Sequence, residues 1–318
     1  VNPSVFQARL LVVLAACFWS LGGLMTRLLQ KETPLGLHQP ELSAIQMAMF
    51  RSLFAGIIMI PLVRRREMTF RPLMPLMVAC FAAMNATYLT ALAGGQAANA
   101  ILLQNTAPFW VFLIAVCVLK EKIDRRSVVS LVIGLTGIAI ILTGLMLQES
   151  PSTSGGSQSN LLGISALAIS SGFFYASVIV CLRALRSESS PWLTFLNHFG
   201  SGIILSISLL IILGPTDWWT WLTTPTWKQL LFLAFFGGIQ MALPYWLFSK
   251  GLRTIGPQEA GIITLLEPML NPIWAYLISP DTEKPPATTW VGGIILLTAL
   301  AYRYWPNKRN ANSLTEAE

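Results

Sequence analysis

The sequence predicts an all-α integral membrane protein: ten transmembrane helices in two inverted five-helix repeats, with both termini in the cytoplasm. Four observations carry this. The 318 residues are 54% hydrophobic and 11% charged, against about 25% charged in a soluble domain. Their apolar residues fall in blocks of about 18–22, enough to cross about 30 Å of hydrocarbon. Basic residues alternate loop by loop. Arg9, Arg64, Arg65, Arg66, Arg71, Lys120, Lys122, Arg125, Arg126, Arg183, Arg186, Lys250, Arg253, Arg303, Lys308 and Arg309 share one side; Arg27, Lys31, Lys228 and Lys284 share the other. Cytoplasmic loops carry the positive excess, so the first side is cytoplasmic and the helix count is even. Finally, the halves repeat. A shift of 160 places Ala100 on Ala260, Pro108 on Pro268 and Ala115 on Ala275; a shift of 156 places Trp19 on Tyr175 and Arg27 on Arg183. Five is odd, so the second half enters from the opposite face.

The net charge of +7 could point to nucleic acid, but the basic residues sit in short loops between apolar blocks, which is an orientation signal. Cys17, Cys80, Cys117 and Cys181 all lie inside apolar blocks, with no CxxC pair. Neither a disulfide framework nor a metal site is expected.

The predicted helices cover 10–29, 43–63, 72–92, 97–119 and 128–147 in the first repeat (10–147). Leu14-Ala15-Ala16-Cys17 resembles a lipoprotein cleavage box, but the apolar run continues through Phe18, Trp19 and Leu21, so the first block is read as a retained helix. Gly22-Gly23 permits close helix approach, and Arg27 is expected to snorkel to the membrane surface. The Ser/Gly-rich segment 148–160 reads as a flexible extracytoplasmic linker. In the second repeat (161–305), helices are expected over 161–182, 192–213, 230–248, 256–278 and 289–305, ahead of a cytoplasmic tail, 306–318. Trp218, Trp219, Trp221 and Trp227 form an interfacial aromatic cluster in the loop between the seventh and eighth helices.

The stretch 256–278 organises the rest. It is apolar yet holds Glu267-Pro268 and Asn271-Pro272. An intramembrane carboxylate costs roughly 2.5–3.5 kcal/mol on insertion scales and marks a functional site by default. Each proline frees a backbone carbonyl one turn back, and such backbone is tolerated at depth only against protein or a wet cavity. Matched proline-interrupted helices, the fourth and the ninth, point to a site at the midplane between repeats.

Phe18-Trp19-Ser20, Phe50-Arg51, and the Ala-rich entries that lead to Ala107-Pro108 and Glu267-Pro268 resemble the EamA type of the drug/metabolite transporter superfamily. The resemblance covers about residues 10–305. It implies a ten-helix inverted-repeat carrier whose central cavity is lined by helices 1, 3, 4, 6, 8 and 9, with metabolite export as a frequent activity. The acidic residue that often follows helix four is present as Glu121. Its counterpart after helix nine is blurred into the run from Ser279 to Pro286.

The cavity candidates are Trp19, Asn85, Tyr88, Gln104, Asn105, Tyr175, Gln240, Tyr245, Glu267 and Asn271. Two readings stand for Glu267. It exchanges protons or binds a substrate ammonium, burial favouring the protonated form of a carboxylate, or it is structural, bonding helix-end donors or pairing with Arg51. Arg51 likewise either binds a substrate carboxylate through its planar fork or pairs internally. The carboxamides serve as interhelical glue or as ligand contacts; the aromatic residues pack or form cavity walls. His198 reads as a packed or hydrogen-bonded histidine, and no metal or cofactor is expected.

The expected function is secondary transport of a small polar metabolite, an amino acid or a relative, in the direction of export, across the cytoplasmic membrane. Expected partners are that solute, the lipid bilayer and protons, with no nucleic acid. There is no GxxxxGK[ST] to bind nucleotide. An intramembrane enzyme is disfavoured because HExxH and GxSxG are missing and Asp124, Asp217 and Asp281 lie in loops. A structural or signalling protein would not need symmetrically broken helices.

Overall fold

The computed structural model describes residues 3–117, 125–147, 158–185, 187–251, 254–255, 260, 263–281 and 283–304. The described residues form helices and turns, with no strand among them. Glu121, residues 148–157 of the linker, 256–259 of the ninth block and the tail fall outside this set. Seven helical segments are long and apolar enough to cross a membrane: Val5–Gln30, Ala44–Leu62, Leu73–Gly94, Ala97–Ile114, Asn160–Leu182, Ser190–Leu213 and Trp227–Gly251. Val128–Gly144 and Ala287–Tyr302 are shorter apolar helices. Ile211 and Ile212 remain 78% and 73% exposed, as side chains that face lipid rather than water would be.

Several of the spans are interrupted. The first is α1 (Val5–Trp19) followed by α2 (Gly22–Gln30). The break has no proline. Ser20 turns its hydroxyl onto the Cys17 carbonyl (2.6 Å) and is held there by Trp274 Nε1 (2.9 Å). After α3 (Ala44–Met59) and α4 (Leu73–Gly94), the fourth span divides into α5 (Ala97–Gln104) and α6 (Ala107–Cys117). Pro108 supplies no N–H for the Gln104 carbonyl, so the α ladder stops there. Helices α7 (Arg125–Leu147), α8 (Gln158–Ala184) and α9 (Ser190–Leu213) are continuous. The span Trp227–Gly251 runs as α11 (Trp227–Phe236), a π-turn at Gly237–Ala242, and α12 (Leu243–Gly251). Here Pro244 leaves the Gln240 carbonyl without its α partner, and the wider turn absorbs the defect. Helix α13 (Leu266–Ile278) carries Pro272 inside it, and α14 (Ala287–Tyr304) ends the described chain.

Three helices start on reciprocal capping boxes: Ser4 with Gln7, Ser43 with Gln46, and Thr226 with Gln229. Each satisfies two orphan donors at a helix start. Two expectations need correcting. The tryptophan cluster is not in a loop: Trp218, Trp219 and Trp221 lie on α10 (Pro215–Thr223), and Trp227 opens α11. Gly214 (φ +79°) ends α9, and Pro215 starts the next helix at a dihedral proline already favours. Residues 158–160, expected in the linker, are the first of α8.

The helices pair across the halves. Helix α7 packs on α14, α3 on α9, and α5 on α13. Helix α4 packs on α8, as α12 does on α1; α4 also meets α9, as the π-turn and α11 meet α3. Gly137 and Gly292 face one another in the α7–α14 pair. A Cβ on either would come within 2.6 Å of the other's carbonyl oxygen, so only glycine allows this approach. The main core threads between the halves through Met25, Leu29, Leu92, Ile101 and Leu296.

Candidate functional site

The interruptions converge on a central cavity of about 70 Å³, room for about two waters at roughly 30 Å³ each. Its wall takes Trp19 from α1, Arg51 from α3, and Met84, Asn85 and Tyr88 from α4. Gln104 ends α5, and Asn105 sits in the break beyond it. The second half contributes Tyr175 from α8, Gln240 and Met241 from the π-turn, Tyr245 from α12 and Glu267 from α13. Asn271 is set back from the wall. It is fully buried and donates to the Tyr88 hydroxyl (3.4 Å). The remaining nine cavity candidates thus share one wall with Arg51. The six spans implied by the resemblance all reach it, and α3 adds Arg51.

Arg51 is 1% exposed. Its Nη1 donates to Gln240 Oε1 (3.0 Å) and its Nη2 to Asn85 Oδ1 (2.8 Å). The guanidinium carbon lies 5.1 Å from the centre of the Phe236 ring. Both amides are held in turn. Asn85 Nδ2 donates to the Phe81 carbonyl (3.1 Å), and Gln240 Nε2 to the Trp19 carbonyl at the end of α1 (3.1 Å). The π-turn is what brings Gln240 to this position. Arg51 and Glu267 line the same cavity but form no ion pair, so the pairing considered from sequence is not made. The neutral amides hold the guanidinium instead.

Trp19 meets Tyr245 edge-on at 5.3 Å, and Tyr245 meets His198 edge-on at 5.0 Å. His198 is fully buried between Tyr245 and Phe81, and neither ring nitrogen has a hydrogen-bond partner. It packs and does not bond. Asn105 Nδ2 donates to the Ile101 carbonyl (2.8 Å), which closes the end of α5.

Arg27 does not snorkel. It is 6% exposed and forms an ion pair with Glu283, which lies between α13 and α14. It also donates to Gln30 Oε1 (2.7 Å) and to the carbonyls of Ala93 and Gly95. The other Glu283 oxygen accepts from the Ala97 N–H at the start of α5 (2.8 Å). A buried acceptor with matching geometry outcompetes a route to water. A larger cavity of about 320 Å³ opens beside this pair, lined in part by Lys31, Gln96, Asn99 and Ser165. Sequence reasoning missed Glu283. Its only signal was a carboxylate in a short proline-rich loop, and nothing there named a partner 256 residues away.

The sequence model of the EamA-like transporter family matches twice, over residues 7–143 and 162–304. An uncharacterized transporter of Archaeoglobus fulgidus is 26% identical over 215 residues, covering 68% of this chain and 70% of that protein. An uncharacterized transporter of Clostridium kluyveri is 22% identical over 219 residues, covering 69% and 67%. One solved crystal structure superposes with a TM-score of 0.60 at 14% identity, over 94% of this chain and 98% of that one. That likeness concerns the fold.

Proposed function

This chain belongs to the EamA-like transporter family, and we propose that it is a secondary transporter exporting an amino acid or related polar metabolite by alternating access. Transport across a membrane follows from the family; substrate, direction and mechanism are our reading. The observation that carries it is the central cavity, walled by polar side chains from both repeats where four spans are interrupted or carry an internal proline. Polar groups at this depth are expensive unless they face protein or a wet path. At about 70 Å³ the cavity is too small for a metabolite, so the helices around it must move for one to enter.

The helix pairing supports the inverted repeat. Exchanging the first five spans for the second five maps α4–α8 onto α12–α1 and leaves α7–α14 and α3–α9 unchanged, as a two-fold axis in the membrane plane requires. The seven long spans, the two shorter apolar helices and α13 make up the proposed ten. With both termini cytoplasmic, cysteines placed at 148–160 label from outside and those at 64–66 from inside. The reverse pattern would overturn the orientation.

Glu267 is proposed to couple transport to protons. The test is efflux from proteoliposomes loaded with amino acids, sugars and sugar phosphates, followed by mass spectrometry with and without a pH gradient. Selective amino-acid release that grows with the gradient is expected. Glu267→Gln should abolish the dependence on the gradient while solute exchange persists. Equal loss of expression or folding would return Glu267 to a structural role.

A further inference from the structure

We infer that the solute held in the central cavity carries an oxyanion group, a carboxylate or a phosphate, and that Arg51 receives it. This rests on the transport reading of the cavity. Arg51 is a buried cation whose neighbours orient it without neutralising it. Asn85 and Gln240 are neutral, Phe236 offers only a ring face, and no acidic side chain among the described residues pairs with Arg51. Burying a charge is costly until an opposite charge meets it.

The donors tell the same story. A guanidinium has five N–H groups, and the two amides engage one each on Nη1 and Nη2. Nε is buried and has no acceptor at all. The two amides are pinned from behind, so the guanidinium is held in place before any ligand arrives. The unsatisfied edge suits an oxyanion that accepts two parallel N–H bonds, as carboxylates and phosphates do.

Arg27 is the internal control. That arginine is equally buried and directs its donors at a carboxylate, a carboxamide and two backbone carbonyls. Internal pairing in this fold therefore looks like Arg27. Arg51 has none of those acceptors except amides, and it faces a cavity. Glu267, on the same wall and unpaired with it, leaves space for an occupant that is anionic at one end.

The test uses the full chain in proteoliposomes. The probes are leucine, serine and glutamate, their α-carboxamides, the decarboxylated amines, and glucose 6-phosphate. Wild type is expected to release the acids at least about 10-fold faster than their carboxamides. In Arg51→Gln that preference should vanish, and in Arg51→Lys, which keeps the charge but not the fork, acid release should fall about 10-fold. Release of glucose 6-phosphate but not amino acids would support the oxyanion site and overturn the amino-acid reading. Release of carboxamides or amines as fast as acids by wild type would overturn this inference and leave transport standing. An unchanged preference in either variant would overturn it too, and Arg51→Lys and the wild-type selectivity decide the matter if Arg51→Gln does not fold. Release of nothing by wild type would sink the transport reading, and this inference with it.

Discussion

The two ends of the helix bundle are tied by different chemistry. At one end, where α2 and α4 finish and α5 begins, a buried ion pair joins the repeats, Arg27 and Glu283, with side chains 7% and 1% exposed; beside it Gln229 Nε2 donates to the Leu37 and Pro40 carbonyls (2.8 Å each) and the Thr289 hydroxyl to Asn99 Oδ1 (2.9 Å). At the opposite end, where α3 finishes and α4 begins, the tie is spread over several contacts. Arg71 Nε donates to Glu188 Oε1 (2.8 Å), and the Thr69 hydroxyl donates to the other Glu188 oxygen. Ser189 donates to Glu67 (2.7 Å), and Trp192 Nε1 to the Thr69 carbonyl (2.7 Å). Arg71 is 59% exposed, while the side chain of its partner Glu188 is 6% exposed. Both ties connect residues 10–147 with residues 161–305. The buried one resists salt and water and fails as a unit. The other is exposed on its Arg71 side, where it is screened and can be exchanged for water bond by bond. If the ends open alternately, the Thr69 end is therefore expected to part more readily.

The largest effect that would break this contrast is at Arg27. Arg27→Ala strands the Glu283 carboxylate in the interior with only the Ala97 N–H for company. Breaking one side of a buried pair costs about 3–5 kcal/mol, which should lower the thermal midpoint of the detergent-solubilised protein clearly. Arg71→Ala should cost about 1 kcal/mol or less. The Arg27→Ala/Glu283→Ala double variant should regain much of the loss, because no uncompensated charge remains. Equal shifts for Arg27→Ala and Arg71→Ala would show that burial does not separate the two ends.

The same contrast marks what could be read from the sequence. Polar residues in apolar blocks are expensive, so Asn85, Gln104, Gln240 and Glu267 stood out, and all line one cavity. Pro108 announced the α5–α6 break by the hydrogen bond it cannot make. The break after Trp19 had no such letter. Its local marks are Ser20 and Gly22-Gly23, and Ser20 also meets Trp274 from the other repeat, a tertiary contact that no local pattern encodes. The π-turn at Gly237–Ala242 is a middle case. Pro244 signalled a defect, but whether a helix kinks or widens is decided by packing. In this fold the turn lies against α3, beside Arg51. Arg27 was misjudged for a related reason. A long side chain near a helix end snorkels by default, and only the folded path of the Glu283 loop supplies the alternative. Local cost was legible; the partner that relieves it was not.

The smallest predicted effect belongs to the exposed end and its pH dependence. The hydrogen bond from Thr69, then that from Arg71, hold Glu188 below its ordinary value of 4.5, against a weaker opposing push from desolvation. The folded state thus favours the carboxylate more than the unfolded chain does. Its contribution is fully present above the unfolded value and is lost as pH falls through the lower folded one. Glu188→Gln should therefore have a lower thermal midpoint than wild type at neutral pH. The difference should close as pH is brought down below the ordinary carboxylate range and through the lowered folded value, and it should shrink in high salt because Arg71 is solvated. The wild-type minus variant curve isolates this group from the other carboxylates, which titrate in both proteins. A gap that widens on acidification would mean that the protonated form is the one bonded, with Thr69 accepting rather than donating. A gap indifferent to pH and salt would mean that the Ser189–Glu67 and Trp192–Thr69 bonds hold this end without Glu188.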